Sequence, residues 1–357
     1  MSDLPFAQAD FARALLGWYQ QQGRDLPWRN TRDPYRIWVS EIMLQQTTVA
    51  TVLGRYDVFV QQFPTLTDLA AASVEQVIDA WAGLGYYSRA RNLHAAACLI
   101  QTQFDGIFPA DPDLLQQLPG IGRSTAGAIV AIAFDLPAPI LDANVRRVLC
   151  RLFAVLLPPR SAAAEKNLWA WAERLTPQQQ VHDHTQAMMD LGAMICLPTK
   201  PQCESCPVNS LCLAYNQGLQ QDIPLKTAKR SIPTRYQAVM LVQQQGRLQV
   251  RRRPVAGFLG GLWEFPTVDL EQVTDADVMV RRLLSQMGLV GDPVLVGTSY
   301  HMYSHFKLES LVYLVDLTDN SLIAETQNQW KTRAELELLA LHGAHKKVFE
   351  QARTGGI

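Results

Sequence analysis

From Phe6 to about Tyr215, apolar residues recur at spacings of three and four in a texture rich in Ala, Leu and Gln. That period puts the apolar side chains on one face of an α-helix. Short interruptions carry Pro or Gly, at Phe63-Pro64, Gly83-Leu84-Gly85 and Pro109 to Pro112, residues that end helices. The pattern predicts about ten helices and little or no sheet. A polar stretch from Asn216 to Pro233, with two prolines and the basic run Lys226 to Arg230, reads as a linker.

After Pro233 the texture changes. Tyr236 to Val242 and Arg247 to Arg253 read as two strands joined by a turn at Gly246. Val294 to Tyr300 and Phe306 to Leu314 suggest two more. A helix is expected from Asp275 to Met287 and another near the C-terminus, so this half is α+β and about 120 residues long. The chain shows no internal repeat.

Composition adds bounds. The 357 residues are enough for about two domains with separate cores, and the 48% hydrophobic content is ordinary for a globular protein. Met1 to Asp10 lacks a basic segment followed by an apolar run, so no secretory leader is expected. No apolar stretch approaches the roughly 20 residues that span a bilayer. A soluble, intracellular protein without membrane contact is therefore expected. The net charge of −1 does not attract nucleic acid overall. Local basic faces remain open at Arg89 and Arg91, at Arg146, Arg147 and Arg151, and at Arg251 to Arg253.

Candidate chemistry enters through cysteine. Four of the six cysteines, Cys196, Cys203, Cys206 and Cys212, fall within seventeen residues at gaps of six, two and five. Without a secretory leader such a cluster points to a metal site. Leu197, Pro198, Lys200, Pro201 and Pro207 let the chain curl about one centre. Zinc sites usually carry two closely spaced pairs, and here only Cys203 and Cys206 form one. That favours an iron–sulfur cluster held by four thiolates, with zinc or two local disulfides as alternatives. Cys98 and Cys150 sit in helix-like apolar runs and are expected as buried thiols.

A second motif lies in Asp113 to Phe134: a helix, the tight turn Leu118-Pro119-Gly120-Ile121-Gly122, then a second helix. Gly120 and Gly122 permit positive φ and leave backbone N–H groups exposed at a helix N-terminus. Such groups hold an anion, for instance a DNA phosphate, without reading sequence. The alternative is a plain helical hairpin with glycine for packing.

A helix-hairpin-helix, Asp142 twenty residues after Gly122, and then the four-cysteine loop together resemble the helix-hairpin-helix superfamily of DNA glycosylases, whose iron–sulfur branch has the same cysteine spacing. The resemblance covers about Phe6 to Tyr215. It implies an all-α helix-hairpin-helix glycosylase domain over residues 1–215, with a [4Fe–4S] cluster on the loop 196–212 held by the four cysteines. Bifunctional members of the endonuclease III type place a lysine nucleophile two residues past the second hairpin glycine. This chain has Ser124 there, which implies a monofunctional enzyme that uses water. Leu26-Pro27-Trp28-Arg29, Val39 to Thr47, and Gly83 to Arg89 are similar to motifs of MutY-type adenine glycosylases.

Glu41 stands out independently of the family. It sits in an apolar helical segment, with Ile37 and Trp38 one turn before and Leu44 one turn after. Burial there raises a carboxyl pKa and keeps it protonated as a general acid, although a glutamate more commonly lies on the wet side of a helix. Asp142, in Leu141-Asp142-Ala143-Asn144-Val145, is placed to cap a helix, whose N-terminus favours an ionised carboxylate. One protonated and one charged carboxyl is what glycosidic cleavage needs. By resemblance, Glu41 protonates adenine at N7, Asp142 stabilises the oxocarbenium-like sugar and Asn144 positions water. Gln46 and Tyr86 intrude into the base stack, Gly120, Gly122 and Ser124 meet DNA, and Trp28, Arg29 and Gln186 line the adenine pocket.

The second half, residues 234–357 after a linker at 216–233, looks like a Nudix-type domain without its chemistry. An active Nudix box carries glutamates for Mg²⁺ where Arg282, Ser285 and Gln286 stand here, and these cannot assemble a hard oxygen site. The resemblance implies an 8-oxoguanine recognition module that uses a loop similar to Tyr303-Ser304-His305, with Tyr303 in place of the usual Phe. The expected partner is duplex DNA with an 8-oxoguanine:adenine or guanine:adenine mispair, bound by a monomer in the cytoplasm, at the nucleoid in a bacterium. A non-enzymatic DNA-binding iron–sulfur protein and a nucleotide hydrolase are the competing readings.

Overall fold

The structure is a computed structural model that describes residues 4–226, 231–317 and 328–354. Its helices are α1 (Gln8–Gln22), α2 (Pro34–Leu44), α3 (Val49–Gln62), α4 (Leu66–Ala71), α5 (Val74–Ala80), α6 (Ser88–Gln103), α7 (Pro112–Leu115), α8 (Arg123–Phe134), α9 (Ala143–Leu152), α10 (Ala162–Leu175), α11 (Val181–Asp190), α12 (Leu213–Asn216), α13 (Ala276–Gln286), α14 (Arg333–Leu338) and α15 (Gly343–Thr354). The first half is helical, as its period predicts. The number of helices exceeds about ten because α4, α7 and α12, of four to six residues, are too short to show a period.

The chain divides into two compact units, one of Met1–Ala72 with Asn92–Ala228, the other of Ser73–Arg91 with Lys229–Ile357. This differs from a simple split near residue 215. The expected linker at 216–233 is also not free throughout, because Ile223 is buried in the first core and accepts a hydrogen bond from Arg151 Nε at 2.8 Å. Thr227 to Arg230, the rest of the expected basic run, lie outside the described residues.

In the first unit, α2 starts at Asp33, whose side chain accepts the Tyr35 N–H at 3.0 Å, with Pro34 in the first turn. Tyr35, Ile37, Trp38, Val39, Ser40, Ile42 and Met43 are all buried, so α2 is enclosed on nearly every side. It packs on α8, and α8 packs on α11. Ala126 to Ile132 of α8 are buried, and Gly127 is required there because a Cβ would meet the Pro139 carbonyl at 2.2 Å. Helix α11 continues as a π-helical turn, Leu191–Ile195, a form often found near functional sites.

The second unit is a seven-stranded sheet of β1 (Thr234–Gln244), β2 (Arg247–Arg252), β3 (Trp263–Glu264), β4 (Thr267–Leu270), β5 (Pro293–Met302), β6 (Lys307–Asp316) and β7 (Asn328–Lys331). The path is β3-β2-β1-β6-β5, with β4 on β1 and β7 on β2. Among the described strands β1 and β6 pair in parallel and the other strand pairs are antiparallel. The four patterned strands lie within two residues of expectation. β3, β4 and β7, of two to four residues, were not legible. Gln245 and Gly246 both have positive φ and make the tight β1–β2 turn. Helix α13 covers one sheet face, placing Ala276, Val280 and Leu284 on Ala238, Met240 and Tyr313. Ser73–Arg91 is held in this unit by Arg252, which bonds Asp79 Oδ1 at 2.9 Å, and by Arg91, which bonds the Gly260 carbonyl at 2.8 Å. Among the described residues no helix is long and apolar enough to cross a membrane.

Candidate active site

A cleft of about 730 Å³ opens in the first unit. Its walls bring together Trp28 and Arg29, Glu41 of α2, Gln46, Gly122 and Ser124 at the start of α8, Asp142 and Asn144 at the start of α9, and Gln186 of α11. Nine of the residues singled out from sequence thus meet at one place, although they come from five separate segments. Gly120 lies in the adjoining hairpin. Tyr86, Tyr303, Ser304 and His305 belong to the other unit.

Asp142 caps α9 as its sequence suggests, accepting the Val145 N–H at 2.7 Å. Burial nevertheless pushes its carboxyl above the ordinary value, against the pull of that N–H, Arg147, the Asn144 N–H and Arg146. The cap stabilises the carboxylate as the sequence suggests, but desolvation outweighs it in the direction of the shift. Glu41 is raised as well. Burial first, then the Asp142 carboxylate, push it from 4.5 to about 7, opposed by Arg29. That opposition is weakened because Arg29 is already committed. Its guanidinium forks onto Asp190 with both bonds at 2.6 Å, and Arg24 adds bonds of 2.8 and 2.6 Å. Burial would raise Asp190, but the two arginines outweigh it and hold it below the usual range. Asp142 therefore has N–H groups and two arginines to offset its desolvation, whereas Glu41 has only Arg29 on its side.

The surroundings hold these groups still. Ser124 Oγ accepts the Leu141 N–H at 3.0 Å, so the residue standing where a lyase keeps lysine braces the turn before Asp142. Arg147 bonds Asn144 Oδ1 at 2.9 Å, the Gly192 carbonyl at 2.6 Å and the Cys196 carbonyl at 2.7 Å. A Cβ on Gly192 would meet Asn144 Cβ at 2.6 Å. Trp28 packs edge-on against Tyr56. At the rim, Gln45 Nε2 reaches the Gly120 carbonyl at 3.4 Å and Thr125 Oγ1 at 3.3 Å. Gln46 has φ of 56° and Tyr86 of 48°, a left-handed conformation that residues other than glycine seldom adopt. Tyr86 is half exposed. In the hairpin only Gly120 has positive φ (80°). Gly122 is extended at φ −88°, so its value is the bare backbone it offers at the start of α8.

The four clustered cysteines form no disulfide in this structure, and together they line one cavity. Arg151, almost wholly buried, bonds Cys196 Sγ at 3.3 Å and the Leu197 carbonyl at 2.7 Å. Burial raises Cys203, Cys206 (to about 12) and Cys212, with neighbouring thiols adding to it. Four soft thiol donors around one cavity beside a fixed guanidinium have the chemistry that suits an iron–sulfur cluster, although among the described residues no three His, Cys, Asp or Glu side chains are grouped closely enough to hold a single metal ion. Of the other two cysteines, Cys150 is buried and Cys98 partly so.

In the second unit Ser304 and His305 are exposed between β5 and β6. Tyr303 between them and β5 is partly buried. Its ring packs against His301, Phe306 and Phe258 at 4.5, 5.0 and 5.3 Å, and burial raises its hydroxyl to about 12. Sequence reasoning missed Asp190, Arg24, His182 and Gly192. None stands in a spacing that marks chemistry, and their roles arise only from contacts across the fold.

The profile described as HhH-GPD superfamily base excision DNA repair protein matches residues 39–174, and that of the NUDIX domain matches 237–351. The adenine DNA glycosylase of Rattus norvegicus is 37% identical over 409 residues, covering 97% of this chain and 79% of its own length. That of Buchnera aphidicola subsp. Schizaphis graminum is 33% identical over 333 residues, covering 93% and 94%. Among solved structures, a thermostable thymine-DNA glycosylase superposes with a TM-score of 0.55 at 32% identity, over 59% of this chain and 97% of that one. A helical glycosylase unit, a Nudix-like unit and relatives matched over most of their length agree: the chain belongs to the adenine DNA glycosylases.

Proposed function

We propose that the cleft hydrolyses the N-glycosidic bond of adenine mispaired with 8-oxoguanine or guanine in duplex DNA, without cutting the backbone. The observation that carries this reading is Glu41, raised to about 7 by burial and by Asp142 in one cleft. A carboxyl raised to about 7, beside a second one that faces backbone N–H groups and two arginines, supplies an acid and an electrostatic partner.

The base leaves the stack to reach these groups, with Gln46 and Tyr86 filling the gap. Glu41 donates its proton to N7 as the C1′–N9 bond breaks and its electron pair passes to the base. The Asp142 carboxylate faces the positive charge that develops on the sugar. Water held by Asn144 adds at C1′, and its proton returns to the Glu41 carboxylate. Free adenine and an abasic sugar result. Ser124 offers no amine, so no Schiff base forms at that position. Trp28, Arg29 and Gln186 hold the base, and Gly120, Gly122 and Ser124 present the hairpin to a phosphate. Cys196, Cys203, Cys206 and Cys212 would hold a [4Fe–4S] cluster, which when bound ties the loop 196–212 into one shape and leaves Lys200 placed for phosphate. Discrimination of 8-oxoguanine rests on the Tyr303-Ser304-His305 turn, mainly its exposed Ser304 and His305. The enzyme works as a monomer in the cytoplasm, at the nucleoid in a bacterial cell.

The test is release of free adenine from a duplex containing one 8-oxoguanine:adenine pair, with borohydride present. Adenine release with little trapped protein–DNA adduct is expected. Efficient trapping, or strand cleavage coupled to base loss, would contradict the monofunctional reading.

A further inference from the structure

Gln186 and His182 lie one turn apart on α11, and both side chains are more than nine-tenths buried. His182 Nδ1 stands 2.7 Å from the Ile132 carbonyl oxygen. A carbonyl can only accept, so Nδ1 carries the proton. The His182 backbone N–H also donates to Asp135 Oδ1 at 2.8 Å, which fixes the start of this turn. Burial lowers the imidazole pKa and keeps the ring neutral. The other nitrogen, Nε2, is then a lone-pair acceptor. Asp183 Oδ1, 3.7 Å from it, is beyond hydrogen-bond reach.

At 2.6 Å from that lone pair stands Gln186 Nε2. The tautomer decides the amide's direction: with oxygen and nitrogen exchanged, two acceptors would face each other. Gln186 Oε1 is consequently left buried with no hydrogen-bond partner, while the residue forms part of the cleft wall. Buried acceptors in native folds are nearly always partnered, so an orphan here calls for a donor that arrives with the ligand. Adenine brings one in its exocyclic N6 amine; a 6-oxopurine presents an acceptor at the same atom.

We propose that His182 is a positioning residue. By holding the Gln186 amide with its nitrogen toward the imidazole, it leaves Oε1 as the acceptor that selects an exocyclic amine, so that the cleft takes adenine and rejects 6-oxopurines. This rests on the adenine-excising reading above and adds the residue that sets its base specificity. His182 itself touches no substrate.

The test compares single-turnover excision of adenine and of hypoxanthine, each opposite 8-oxoguanine, by the full-length protein. His182→Phe should lower the adenine-to-hypoxanthine rate ratio at least about tenfold, the scale of one hydrogen bond made or left unmade, because the freed amide can turn its N–H toward O6. Both rates come from one preparation, so loss of folded protein cancels in the ratio, and His182→Asn serves as a second variant. In a Gln186→Leu background the His182 substitution should leave the ratio unchanged. Nitrogen NMR of the wild-type imidazole should show the Nδ1–H tautomer. An unchanged ratio in the single variants, or the Nε2–H tautomer, overturns the proposal. A wild type that releases no adenine at all overturns the functional reading instead, and this inference with it.

Discussion

Replacing Glu41 by Gln should have opposite effects on activity and stability, and both follow from one number. A glutamate at its ordinary value of 4.5 would be only about 0.3% protonated at pH 7. Raised to about 7, it is about half protonated, which multiplies the population of the acid by about 150. Excision should therefore be flat below about pH 6 and fall toward tenfold per pH unit above about pH 7.5. Glutamine keeps the shape and cannot give a proton, so Glu41→Gln should lose about 10²–10⁴ in single-turnover rate while still binding a mispaired duplex. The same burial penalises the folded protein. With its pKa higher folded than unfolded, the native state holds more protons between pH 4.5 and 7, so stability falls as pH rises through that window. The penalty reaches about 3 kcal/mol at most by pH 8, less where the cleft admits water. Glu41→Gln should thus melt higher than wild type at pH 8 and equal to it near pH 4. Quench-flow excision across pH 5.5–9 and thermal melts at both pH values check this. A variant that still excises within tenfold of wild type, or a pH profile flat to pH 9, would remove Glu41 as the acid.

Three further outcomes are expected. Iron and acid-labile sulfide analysis should find about four of each per chain, and serine at any of Cys196, Cys203, Cys206 or Cys212 should lower iron content; zinc in place of iron would refute the cluster. Gly192→Ala should force a Cβ against Asn144 (2.6 Å), slowing excision at least about tenfold by misplacing the water site while DNA binding persists; normal single-turnover rates would show that Asn144 has room to yield. Joint Ser304→Ala and His305→Ala substitution should cost ~1–3 kcal/mol of preference for 8-oxoguanine:adenine over guanine:adenine, read as the ratio of rates on the two duplexes, and an unchanged ratio would relocate 8-oxoguanine sensing.

Much was legible locally. The helical period of the first half, the change of texture after Pro233, the β1–β2 turn and α13 all follow from neighbours in sequence, because backbone periodicity and turn chemistry act over a few residues. The cysteine spacing, the hairpin glycines and the apolar setting of Glu41 are local in the same sense. Resemblance to known motifs then supplied roles that no period could.

What only the tertiary structure decided is everything that depends on distant segments meeting. Glu41 and Asp142 are a hundred residues apart, and their shared cleft exists because α2, α8, α9 and α11 pack together. Asp190 shows no sign in sequence of clamping Arg24 and Arg29, nor Gly192 of making room for Asn144. The cap at Asp142 is a sequence property, yet its pKa goes the other way because desolvation sums over atoms from the whole fold. Tyr303, placed by motif in the recognition loop, packs in an aromatic cluster drawn from β5, the β5–β6 turn and the segment around Phe258. Ser73–Arg91, helical by period like its neighbours, joins the second unit through Arg252 and Gly260. Local pattern chooses the elements; which side chains face one another, and hence which protons stay on, is a property of their packing.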